Sequence, residues 1–180
     1  MRTIFTPRFW LAFALVIGGV AWRVMPHPWN FAPVGAIALF AGARFERRWL
    51  ALVTPLLTMF AGDTLLQMLT GNGYHSLMPV IYATYALIAV LGMLLRDPKT
   101  TFFAIGGCVL ASATIFYVVT NFAVWLTSPM YAKNGAGLIA CYVAAIPFFG
   151  NTLVSDALFS AALFGLFAMA ERVIPVFAEP

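Results

Sequence analysis

Asp63 and His75 are the residues of this 180-residue chain that could in principle form an acid–base pair. An acid and a histidine can in principle pass a proton to or from a substrate. Asp63 and His75 are separated by a glycine-containing loop, Gly71–Asn72–Gly73–Tyr74, which fixes no geometry between them. No nucleophile stands beside a base, and no HExxH, GxSxG, P-loop or GxGxxG motif occurs. The expectation is a protein that is not an enzyme, with an intramembrane enzyme as the weakest reading. Cys108 and Cys141 form no CxxC pair or other metal spacing, so neither a metal nor a cofactor is expected.

The remaining polar residues share faces and depth. Asp63 and Gln67 are one helical turn apart, as are Tyr117, Asn121 and Trp125 in succession. Tyr82 and Tyr85 share a face, and Asn151, Thr152, Ser155 and Asp156 open the last apolar run. Trp29, Asn30 and both histidines, His27 and His75, fall in loops on the same side. This predicts a small-molecule pocket in one half of a helical bundle, roofed by loops 26–31, 70–76 and 128–137. The expected ligand-binding residues are Trp29, Asn30, Asp63, His75, Tyr82, Asn121, Trp125, Asn151 and Asp156. Asp63, Asn121, Asn151 and Asp156 would hydrogen-bond a polar part of the ligand, while Trp29, Tyr82 and Trp125 would pack on its apolar part. The competing reading is a structural or assembly subunit without a ligand. Trp and Tyr gather at membrane interfaces in any case, and Asn and Thr join helices. Asp63 would then pair with Arg23, and Asp156 would cap the start of the last helix.

These residues sit in a chain that is 63% hydrophobic and 9% charged, against roughly 25% charged in a soluble domain. A chain of this length cannot hide so much apolar surface from water, so the surplus faces lipid. The sequence predicts an all-α integral membrane protein, one domain over 1–180, bundling about six transmembrane helices, some short or broken. The apolar segments are 9–25, 32–43, 49–69, 77–95, 102–127 and 138–170. The second is too short alone and is expected to begin near Trp29, with a tilt or break at Pro33. The last is expected to divide at Pro147 and Gly150–Asn151 into a short helix, 138–148, and a span, 151–170. Alternating the crossings puts Arg2, Arg8, Arg44, Arg47, Arg48, Arg96, Lys99 and Arg172 on one side, and only Arg23 and Lys133 on the other. Positive charge marks the cytoplasmic side, so both termini are expected in the cytoplasm and the polar half outside. The net charge of +4 follows from these loops, and no nucleic-acid partner is expected. Small residues at Ala32, Ala36, Ala38 and Gly42 suit close helix contact, either inside the bundle or with a transmembrane partner subunit.

The strings Pro28–Trp29–Asn30–Phe31–Ala32–Pro33, Thr120–Asn121–Phe122–Ala123–Val124–Trp125 and Pro147–Phe148–Phe149–Gly150–Asn151–Thr152–Leu153 resemble signatures of a bacterial family of uncharacterised small multi-pass membrane proteins. That resemblance implies the bacterial inner membrane and carries no activity. More distantly, the plan is similar to the substrate-binding S-components of energy-coupling-factor vitamin transporters. It implies a vitamin or micronutrient uptake protein whose site lies under the loops after the first, third and fifth helices. S-components dock on a partner through small residues of the first helix, whereas the best small-residue run here is in the second span. Cobalamin-binding members use a cysteine near the third loop; this chain has His75 and no cysteine there.

Overall fold

The computed structural model describes residues 7–97 and 99–173, apart from the side chains of Arg8 and Val173. It is all-helical across those residues. The helices are α1 (Pro7–Val24), α2 (Val34–Arg44), α3 (Arg48–Thr70), α4 (Met78–Gly92, continued by a 3-10 turn Met93–Arg96), α5 (Phe102–Thr127) and α6 (Gly135–Val173). The segments containing α3 to α6 are long and apolar enough to cross a membrane, whereas α1 and α2 are shorter.

α2 organises the bundle. Its eleven residues rise about 16 Å, roughly half a hydrocarbon core. Every residue from Val34 to Ala43 is buried, with α3, α4, α6 and α5 around it. A helix apolar on all sides lies either in a protein core or across a membrane, and α2, short of a full span, lies in the core. Its small residues are consumed internally. A side chain at Gly42 would strike the Ala89 carbonyl, and one at Gly92 the Leu39 carbonyl, so α2 and α4 cross backbone to backbone. The helix therefore has no small-residue face left for a partner subunit. Beneath it, Phe40 packs edge-on against Phe45, Phe164 and Phe167.

Two expected boundaries are corrected. α2 begins at Val34, after a turn through Trp29 and Asn30, because Asn30 takes a left-handed conformation (φ 60°) that ends any helical path there. α6 does not divide at Pro147. It runs unbroken for 39 residues, about 58 Å. Proline removes one backbone donor, but residues on both sides keep the helix going. Gly150 and Asn151 adopt no left-handed turn: among the described residues, positive φ occurs only at Asn30 and Gly71. Gly137, Cys141 and Ala145, four residues apart, are buried as α6 packs on α5.

Candidate functional site

The end of α1 supplies the first part of the site. Arg23, in its last turn, reaches across to α3 and forms an ion pair with Asp63, which is fully buried. Gly62 makes this possible, since a Cβ there would meet the Arg23 side chain. Nη1 of Arg23 also approaches the Met59 sulfur at 3.6 Å. The second carboxylate oxygen of Asp63 accepts a hydrogen bond from the Tyr82 hydroxyl at 2.7 Å. α1, α3 and α4 are thus tied by one acid.

Asp156 supplies the second part. It lies 21 residues after the start of α6, so it cannot cap that helix. Its carboxylate meets the beginning of α2 instead. It fills the space where Gly35 lacks a side chain, and the Ala36 amide donates to it. Ser112 Oγ, from α5, donates to it at 3.0 Å. The partial positive charge at a helix N-terminus favours an acid in this position. Asp156 is 2% exposed and has no basic partner among the described residues.

Loop residues flank the space above. Trp22 donates to the Phe31 carbonyl at 2.8 Å and stacks near His27, Phe31 and Phe159. Asn151 donates to the Trp29 carbonyl at 2.9 Å, and Ser155 to the Ala32 carbonyl at 3.3 Å. The next loop folds back over α3. Gly71 caps that helix in the left-handed region, and the Gly73 and Tyr74 amides donate to the Gln67 side chain.

Between these parts lies a cavity of about 460 Å³. Arg23, Asp156, Tyr85 and Phe116 are among its lining, as are His27, Trp29, Asn30 and His75 from the two loops. Its size falls within the roughly 300–1,000 Å³ of small-molecule sites. Of the nine residues expected from the sequence, Trp29, Asn30, His75 and Asp156 line it. Asp63 and Tyr82 stand behind Arg23, and Asn151 anchors the loop through the Trp29 carbonyl.

Asn121 and Trp125 lie elsewhere. The Asn121 side chain donates to its own helix at the Tyr117 carbonyl, and the Asn121 backbone carbonyl accepts from the Cys141 thiol. Trp125 donates to the Ala132 carbonyl under Lys133. The expected roof is corrected accordingly: loops 26–31 and 70–76 contribute to the cavity, and 128–137 does not. Ser112, Tyr85 and Phe116 were not selected from sequence. Tyr85 was legible as the neighbour of Tyr82 on one face, but nothing distinguishes Ser112 or Phe116 within an apolar helix.

Buried acids, a central half-length helix and a cavity open to loops at one end define a helical protein of membrane type with a polar interior. The family model for a family of unknown function (DUF6580) matches residues 3–177, and the chain belongs to that family. No curated protein and no solved structure matches the chain.

Proposed function

We propose that this protein binds a small molecule in the cavity beside Asp156 and serves its uptake across the bacterial inner membrane. The observation that carries the reading is Asp156 itself: a buried acid, without a basic partner among the described residues, that borders a cavity of ligand size. An acid needed only to hold helices together would not have to border open space. Arg44, Arg47, Arg48, Arg96, Lys99 and Arg172 lie toward one end, and Arg23 and Lys133 toward the other. Under the positive-inside rule this reading makes the first end cytoplasmic and has the cavity open outward. The likeness to S-components of vitamin transporters belongs to this proposal; six helices among the described residues and a cavity beneath the first and third interhelical loops support it. The reading is of a binding protein and assigns no chemical step.

The test is mass spectrometry of small molecules retained by gently solubilised protein. Wild type should carry a bound species. Ala32→Phe, which fills the cavity, should lose it while remaining monodisperse, and Asn121→Ala should keep it. Retention by Ala32→Phe, or no bound species in any preparation, contradicts the proposal.

A further inference from the structure

We infer that the ligand is a small organic monocation, an ammonium group on an apolar or aromatic body, with Asp156 as its counterion. The inference rests on the binding reading above and adds its charge. The lining and the groups just behind it contain three formal charges. Arg23 and Asp63 cancel as an ion pair. His27 and His75 sit in the loops, with His27 Nδ1 2.6 Å from the Met25 carbonyl. Tyr82 and Tyr85 from α4 are neutral phenols, and α5 adds only Ser112 and Phe116. Of the two acids in or just behind the lining, Asp156 is the one with no ion pair among the described residues.

A buried carboxylate needs either a proton or a cation. The two donors it has, Ser112 and the Ala36 amide, orient it without neutralising it. The walls suit an organic cation better than a metal ion. Trp29, Tyr85 and Phe116 line the cavity, and the last two rings lie 5.2 Å apart at 34°. Aromatic faces attract ammonium groups. No cluster of three metal-ligating side chains exists among the described residues. An anionic ligand would have to sit beside the Asp156 carboxylate, and although Arg23 Nε has no hydrogen-bond partner among the described residues, the Arg23 charge is already matched by Asp63.

Three probes matched in shape decide the matter: phenyltrimethylammonium, neutral tert-butylbenzene and anionic benzenesulfonate. Each is titrated to millimolar concentration into purified full-length protein by equilibrium dialysis. The ammonium should bind about tenfold or more tightly than the neutral probe. Asp156→Asn keeps an oxygen for Ser112 and Ala36, so the fold should survive; it should abolish that preference while leaving neutral binding in place. Equal binding of all three, preference for the sulfonate, or an ammonium preference that survives Asp156→Asn overturns the cation assignment and leaves the pocket reading standing. No binding by any probe overturns both. Competition by phosphatidylethanolamine vesicles would mark a lipid headgroup as the ammonium's source, and its absence a soluble amine; either result supports the assignment.

Discussion

Asp156 and Arg23 show how a single side chain serves both fold and site. Asp156 can approach α2 only because residue 35 is glycine. Gly35→Ala would press a methyl against the carboxylate, and overpacking of this kind costs about 1–3 kcal/mol. Its melting temperature in detergent should fall below wild type; an unchanged melting temperature would contradict the close approach. Removing Arg23 strands Asp63 as a buried lone charge, which typically costs about 3–5 kcal/mol. Arg23→Met should therefore be strongly destabilising, and Arg23→Met with Asp63→Asn should recover much of the loss in a thermal melt. A double variant no better than the single would show that the pair does not couple. The sequence made Asp63, Asp156 and Arg23 visible because ionisable groups in apolar runs stand out. It could not assign Asp156 its partners, since Gly35, Ser112 and Ala36 are ordinary small residues that only tertiary packing brings together.

Among the elements, α2 has the most unusual circumstances. It is buried throughout, and both ends meet charge of the favourable sign. Asp156 faces its N-terminus. At the other end Arg96 donates to the Gly42 and Phe45 carbonyls, each at 2.8 Å. A buried helix end without partners is costly, and Arg96 satisfies two acceptors with one side chain. Arg96→Met should lower stability by about 1.5–3 kcal/mol for each charged bond lost. Arg96→Lys should recover only part, because an ammonium cannot reproduce the planar fork. Equal melting of all three proteins would contradict this capping role. The apolar runs of α3, α4 and α5 were legible from length and composition. α2 was legible as too short, but its start was misplaced because Trp29 and Asn30 are apolar or neutral neighbours of a helix they do not join. α6 was misread because Pro147 and Gly150 are helix-weakening residues whose local preference is overridden by packing on α5.

For the molecule as a whole, the proposed uptake role requires a cavity that opens on the side opposite the basic loops. Asn121 and Trp125 show the limit of reading such a site from depth alone. They occupy the same half of the bundle and share a face, but that face meets α6 and the 128–134 turn rather than the cavity. The most direct measurement is thiol accessibility at Ala32, a small cavity-lining residue, in a Cys108→Ala/Cys141→Ala background. Ala32→Cys is exposed to a membrane-impermeant thiol reagent in sealed right-side-out vesicles, beside Glu171→Cys at the basic end. Ala32→Cys should label from outside without permeabilisation, and Glu171→Cys only after it. Labelling of Ala32→Cys only after permeabilisation, or not at all, would contradict an outward-opening cavity.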